Sequence, residues 1–366
     1  MESIFASPSK YIQGKNVLKT GLHHIKTLGT KALLLSDDFV YELVGKELEE
    51  NLTHEGVAVH YVSFNGESSL EEINRITQLT NDQAIDVVIG IGGGKTIDVA
   101  KAIADELSIS VAILPTVAST DAPTSCISVI YTEDGLFDKY IYYKKHPDLV
   151  LVDTTVISKA PSRLLISGIA DALSTWVEGR VISERGETNL LGGKPTLAAV
   201  AIAEKCQNVL FEQSFQAVAA NDANSVTPSL EAVIEANTLL SGIGFESCGL
   251  AAAHAIHNGF SALKSDVNKL THGEKVAYGT LAQLVLENRP KEELDKFIKF
   301  YQELGLPTTL EQMHLTDTNY EELLLIGKQA TKEGETIHKL SNTIEASDVA
   351  DALLFVDCYV KKYHKI

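Results

Sequence analysis

DVVIGIGGGKTIDVAKAIA, residues 86–104, runs from an unbroken apolar stretch through Gly92, Gly93 and Gly94 into Lys95, Thr96 and a segment with helical spacing. An apolar strand, a turn without side chains and a helix form the repeating unit of a parallel α/β sheet. Such a turn offers backbone N–H groups and the positive end of a helix to an anion. A tight turn alone needs one or two glycines, so three followed by a lysine point to contact with a phosphate. Two motifs built on this chemistry fail on spacing. A nucleoside triphosphate loop needs Gly, four residues, then Gly-Lys-Ser/Thr, and counting back from Gly94-Lys95-Thr96 that first position is Ile89. The dinucleotide pattern GxGxxG, set on Gly90 and Gly92, requires glycine where Lys95 stands. It also belongs after the first strand of its fold, whereas this turn follows the third predicted strand.

Upstream and downstream, short apolar runs alternate with amphipathic ones. KALLLSDD (31–38), GVAVHYVSF (56–64), AIDVVIGI (84–91), SVAILPT (110–116) and HPDLVLVD (146–153) read as strands, with helices over 39–52 and 69–80. Near-continuous hydrophobicity marks strands buried on both faces, as in a parallel sheet. In SVIYTEDGLFDKYIYY (128–143), Asp134-Gly135 between two β-prone runs predicts a hairpin. After Ser158 strand-like runs nearly vanish and helical periodicity takes over. The expected architecture is a Rossmann-like α/β domain over 1–158 and an all-α domain over 159–366, with the active site in the cleft between them.

The formal charge of −18, from 31 Lys plus Arg against 49 Asp plus Glu, argues against nucleic acid and anionic membranes as partners. An anionic ligand must then be held by local devices such as helix N-termini. The start of the chain lacks the basic and apolar segments of a signal peptide, and no apolar run reaches a membrane-spanning length, so a cytoplasmic location is predicted. Cys126, Cys206, Cys248 and Cys358 are far apart and form no CxxC pair; buried free thiols are expected.

Asp37, just past the first predicted strand, is placed to bind an adenosine ribose and to repel a 2′-phosphate, which favours NAD; a helix N-cap is the other reading. In GLAAAHAIHNGF (249–260), His254 and His257 lie on an apolar helix where imidazoles are costly unless bonded or ligated. His272 precedes Gly-Glu-Lys at a helix start, and Asp171 is an acid among apolar neighbours in LLISGIADALSTWVE. Two imidazoles and a carboxylate make a divalent-metal site with room for substrate. A buried Asp–His hydrogen bond would also account for Asp171. Spacing leaves His254 and His257, which share one helix face, unresolved.

GIGGGKTIDVAKA, PTVASTDAPTS, GIADALSTWVE, GFESCGLAAAHAIHNG and HGEKVAYGTLAQLVLEN together resemble the bacterial glycerol dehydrogenases. These form the zinc-dependent polyol branch of the iron-containing alcohol dehydrogenase superfamily, whose architecture is shared with dehydroquinate synthase. The likeness extends from SPSKYIQG (7–14) to GETIHKL (334–340). It implies Asp171, His254 and His272 as metal ligands, with His254 also facing substrate and His257 a neighbour of the site. It implies Gly93, Gly94 and Lys95 as pyrophosphate contacts and Asp37 as the ribose acid. Thr116 and Ser119 are implied cofactor contacts, Asp121 a partner for a substrate hydroxyl, and Ser125, Ile127 and Tyr131 neighbours of the nicotinamide.

The implied activity is reversible, NAD-dependent oxidation of glycerol or another vicinal diol to a hydroxyketone such as dihydroxyacetone. The metal the resemblance implies is Zn²⁺, with Fe²⁺ or Mn²⁺ compatible with the same donors. The alternatives are a dehydrogenase of another alcohol or of a glycerol phosphate and, further off, a 3-dehydroquinate synthase-type lyase. Both phosphorylated substrates call for basic residues that the segments around the ligands scarcely offer. Relatives form homo-oligomers, from dimers to octamers, and one is expected here. Cys248 departs from a glycine common in relatives and Cys126 lies beside cofactor contacts, which predicts sensitivity to thiol reagents. Residues 261–271 are the variable connection between the two ligand histidines.

Overall fold

The strands of the first half pair as the alternation of apolar runs requires. In the computed structural model, which describes residues 2–316 and 318–364, they are β1 (Tyr11–Gly14), β2 (Lys31–Ser36), β3 (Ala58–Ser63), β4 (Val87–Gly92), β5 (Ser110–Pro115), β6 (Ile127–Tyr131), β7 (Phe137–Tyr142) and β8 (Leu149–Asp153). Six make a sheet in the order β1-β8-β5-β4-β2-β3, and every adjacent pair is parallel. Every residue of β4 and β8 is buried, the pattern of strands covered on both faces. β6 and β7 form the predicted antiparallel hairpin, with Gly135 at φ +77° in its turn. β1 leaves no strand signal in the sequence. Four residues containing Gln and Gly carry no alternation, and its register comes from lying along β8.

The strand order locates a binding crevice. From β2 the chain moves outward to β3, then returns to the other side of β2 to form β4. Loops leaving β2 and β4 therefore diverge at a topological switch point, where open parallel sheets bind ligands. Asp37 follows β2 and the triple-glycine turn closes β4.

Beyond residue 158 the described residues hold helices and no strand, including Ser162–Arg185, Leu197–Asp222, Ala252–Gly259, His272–Leu286 and Ala346–Tyr363. No single helix among the described residues is long and apolar enough to cross a membrane. The chain separates into two compact units. One holds the described residues of 1–5, 166–215 and 243–366; the other holds 6–165 and 216–242. This division differs from the single boundary drawn at 158/159. Its breaks after 165 and 215 fall inside the helices Ser162–Arg185 and Leu197–Asp222, where composition does not change.

Polar contacts within the sheet-bearing unit account for the return of 216–242. Asn221 Nδ2 donates to the carbonyls of Ser158 and Ala160, both at 2.9 Å. Gln13 Nε2 donates to the Glu231 carbonyl at 2.9 Å, and the Tyr11 and Thr238 hydroxyls lie 2.8 Å apart. Cys126, Cys206 and Cys248 are buried and in no disulfide, as expected, whereas Cys358 is exposed. It lies on a helix that turns only part of its surface inward.

Candidate active site

The sheet-bearing unit contributes a turn made almost wholly of backbone. The helix Gly94–Leu107 starts directly behind β4, with Gly93 as its N-cap and no side chain capping the first turn. Its opening N–H groups are left for a ligand or water. A Cβ built on Gly93 would meet only Val117 Cγ2, at 3.8 Å, whereas one on Gly90 would lie 2.5 Å from Ala100 Cβ. Gly90 is thus empty for packing, and Gly93 leaves its space open. Lys95 Nζ pairs with Glu67 Oε2 at 2.7 Å and lies 5.4 Å from the Tyr131 ring centre, so Glu67 stands beside one residue expected at the pyrophosphate. Asp37 is an N-cap: its Oδ1 accepts from Val40 N at 2.9 Å. A cap and a ribose contact both need an acceptor at this point, and the cap engages one oxygen.

The segments carrying the remaining predicted cofactor residues are tied down by hydrogen bonds within the sheet-bearing unit. Thr116 N donates to the Gly92 carbonyl at 3.1 Å, which joins the end of β5 to the glycine turn. Asn237, in a π-helical turn at Ala236–Leu240, donates to the Ala118 carbonyl at 2.9 Å, next to Ser119. Ser241 Oγ donates to Asp121 Oδ2 at 3.0 Å. Buried Lys101 pairs with Asp98 at 2.9 Å and donates to the Ala122 carbonyl at 3.0 Å, to Ser125 Oγ at 3.3 Å and to the Ile127 carbonyl. This lysine ties the segment carrying Ser125 and Ile127 to the helix behind the glycines. Sequence reading missed Glu67, Lys101, Asn237 and Ser241. Only Lys101 left a trace, as a lysine on the apolar face of KTIDVAKAIA.

The helical unit brings Asp171, His254 and His272 together, with one donor atom from each within 4.8 Å of the others. Asp171 comes from the middle of Ser162–Arg185 and His254 from the first turn of Ala252–Gly259; His272 opens His272–Leu286. Thr271 and Glu274 form a reciprocal capping box that fixes this last helix start. A Cβ on Gly273 would overlap the Ser167 carbonyl, so the missing side chain lets the helix end settle one turn from Asp171. Asp171 Oδ1 lies 3.1 Å from His272 Nε2 and 3.3 Å from His254 Nε2. Its Oδ2 is buried with no hydrogen-bond partner. His257 points elsewhere: its Nδ1 meets Asn258 Oδ1 at 3.2 Å, and its ring centre is 4.2 Å from that of His272.

The charges within the cluster depend on one another. Burial opposes ionisation of Asp171, but His272 and His254 together hold its pKa well below the ordinary carboxylate range. Burial also opposes a charge on His254, and Glu178 and Asp171 reverse this, raising its pKa well above the ordinary value. Burial, helped by His272, Lys275 and His254, pushes His257 well down, so that ring stays neutral. Two imidazole nitrogens converge on Asp171 Oδ1 while its Oδ2 stays buried without a partner, a set of donors short of a cation. The two oxygens of Glu178, beside His254, are a further feature that the sequence reading passed over. Burial pushes the Cys248 thiol up to about 12, which keeps it away from the reactive thiolate form.

Residues 8–154 match the iron-containing alcohol dehydrogenase family. A glycolaldehyde reductase from Halobacterium salinarum is 47% identical, with 98% of each chain covered. A glycerol dehydrogenase from Escherichia coli O6:H1 is 45% identical over 99% of each chain. The crystal structure of glycerol dehydrogenase from Schizosaccharomyces pombe superposes with a TM-score of 0.96 at 43% identity, covering 100% of this chain and 92% of that one.

Proposed function

The chain belongs to the iron-containing alcohol dehydrogenase family, and from that premise we propose that it interconverts glycerol and dihydroxyacetone. The carrier is NAD, and Zn²⁺ is held by Asp171, His254 and His272. The reading rests chiefly on the three donors converging around Asp171, one carboxylate oxygen of which is buried and unpartnered. Donors of this mixed N and O type also accept Fe²⁺ or Mn²⁺. A cation held there would supply a Lewis acid that lowers the alcohol's pKa, and NAD, when bound, would serve as the hydride acceptor.

The protein's own part is positioning and electrostatics. Gly93 and the first turn behind it present N–H groups to a pyrophosphate, and Lys95 adds a charge from the side. Thr116 and Ser119 extend the cofactor groove, and Ser125, Ile127 and Tyr131 line its nicotinamide end. Asp37 takes the ribose hydroxyls. Asp121, steadied by Ser241, accepts from a substrate hydroxyl. Neutral His257 offers a hydrogen bond without adding charge beside the two metal-binding imidazoles.

A second substrate pair has specific support. The 47%-identical relative is named for glycolaldehyde, a two-carbon α-hydroxyaldehyde related to glycol as dihydroxyacetone is to glycerol. Both pairs carry oxygens on adjacent carbons, so the choice between them is one of pocket size rather than chemistry. The test is to purify the protein without added metal, measure zinc, iron and manganese, and follow NADH with glycerol, 1,2-propanediol, ethylene glycol, dihydroxyacetone and glycolaldehyde. We expect about one divalent ion per chain and fastest turnover of the glycerol pair. Full turnover after chelation, or none with any vicinal diol, would overturn the proposal.

A further inference from the structure

Glu178 lies two turns after Asp171 on the Ser162–Arg185 helix, and its side chain is wholly buried. Oε2 is 2.6 Å from His254 Nδ1. Oε1 accepts from the backbone N–H of Ala251 at 2.9 Å and of His254 itself at 3.1 Å. Gln283 Oε1 takes the two N–H groups between them, Ala252 and Ala253, each at 2.8 Å. Two side chains therefore satisfy the N–H groups at the start of the short Ala252–Gly259 helix, and one of them also grips the imidazole that this helix presents.

We propose that Glu178 is the positioning residue that holds His254 in its metal-binding tautomer. An ionised carboxylate can only accept, and Glu178 at 2.6 Å is closer to the ring than Asp171 at 3.3 Å, so the proton of a neutral His254 ring resides on Nδ1 and the lone pair on Nε2 is left for a cation held beside Asp171. A carboxylate behind a ligating imidazole also raises its basicity and fixes the plane of the ring. The inference rests on the metal reading above and adds the residue that makes one of the three donors competent.

The arrangement makes the isosteric change Glu178→Gln unusually informative. An amide oxygen would be drawn to the Ala251 and His254 N–H groups, because an amide NH₂ there would face two donors. That leaves the NH₂ against Nδ1, which must then accept, and the ring proton moves to Nε2, where it blocks a metal. Turning the amide over would spare the ring but leave backbone donors unpaired in a buried place. The substitution keeps shape and volume while inverting the polarity of one hydrogen bond.

The experiment is zinc affinity, read by competition with a chromophoric chelator, for wild-type protein and Glu178→Gln, with thermal unfolding of both metal-free proteins alongside. We expect E178Q to bind zinc about 10- to 100-fold more weakly, the range found when partners behind a metal ligand are removed. Equal affinity within twofold, with wild type binding one zinc per chain, overturns this inference alone. Absence of zinc binding by wild type overturns the metal reading and the inference together. A readout that needs no variant is neutron diffraction of the zinc-loaded wild type. Deuterium on His254 Nδ1 supports the assignment, and a bare Nδ1 refutes it.

Discussion

The turn after β4 and the cluster around Asp171 are built from opposite materials. At the turn, Gly93 and the uncapped first turn of Gly94–Leu107 leave backbone donors open and side chains out of the way. Around Asp171, buried side chains converge and most are already bonded: Glu178 to His254, Gln283 to the helix start, and Thr271 to Glu274. A backbone site tolerates substitution of any neighbour that leaves its space open, but an added methyl group can spoil it. A side-chain site depends on the identity of each donor, and its packing has little freedom to adjust. The two regions should therefore fail in different ways.

The largest effect is expected at the cluster. Asp171→Asn and His272→Ala each remove a donor, and turnover should fall about a thousandfold or more, since a bound Lewis acid contributes several kcal/mol to the transition state. NADH binding, followed by fluorescence titration, should stay within about threefold of wild type because the turn is untouched. Zinc analysis of the same samples checks the cause. Loss of NADH binding along with the metal would mean that the two regions are not separable.

Within the turn, two glycines sharpen the contrast. Gly93→Ala fits the fold, with only Val117 nearby, but places a methyl group where a phosphate should approach. It should weaken NADH binding about tenfold, about 1.4 kcal/mol, and leave the melting temperature nearly unchanged. Gly90→Ala drives a Cβ into Ala100 and should cost about 1–3 kcal/mol of stability through overpacking. Its cofactor affinity in protein that remains folded should hold. The opposite pattern would assign Gly93 to packing and remove the phosphate site. Asp37→Gly should raise the NADP-to-NAD efficiency ratio about tenfold, the scale of a hydrogen bond to a charged group. Losing the cap on Val40 should cost only about a few tenths of a kcal/mol of stability in addition, because glycine is itself tolerated at an N-cap. An unchanged ratio with that stability loss would leave Asp37 as a cap alone.

How far the sequence reveals each region follows from the same difference. The turn is contiguous: strand, glycines, lysine and helix occupy residues 86–104, so local chemistry announces it. The cluster joins residues as far apart as Asp171 and His272, and what aligns them is tertiary. Gly273 against Ser167 is one such contact. Residue types alone left His254 and His257 equivalent; the resemblance favoured His254, and the fold turns His254 toward Asp171 and His257 toward Asn258. Glu178 was visible as a second acid two turns after the first on an apolar helix face. The bond it makes needed coordinates. β1 and the return of 216–242 to the sheet-bearing unit were illegible for a related reason: short or uniformly helical segments carry no mark of their neighbours.

Asp121 tests whether the division between backbone and side-chain sites is complete, because it is a side chain on the sheet-bearing unit that is itself held by one. Ser241 Oγ donates to its Oδ2 at 3.0 Å, from a helix that follows directly on the π-helical turn carrying Asn237 and Thr238. A hydrogen bond from a neutral hydroxyl to a carboxylate contributes about 1.5 kcal/mol or somewhat more. If Asp121 orients substrate, Ser241→Ala loosens that carboxylate without removing it. The KM for glycerol should then rise about five- to tenfold, while NADH affinity and zinc content stay at wild-type levels. Asp121→Ala should affect the same parameter more strongly, and the double variant should be no worse than Asp121→Ala, because the serine acts only through the acid. Additive losses in the double variant would show that Ser241 serves packing or substrate on its own account, and Asp121 would then stand without the support assigned to it.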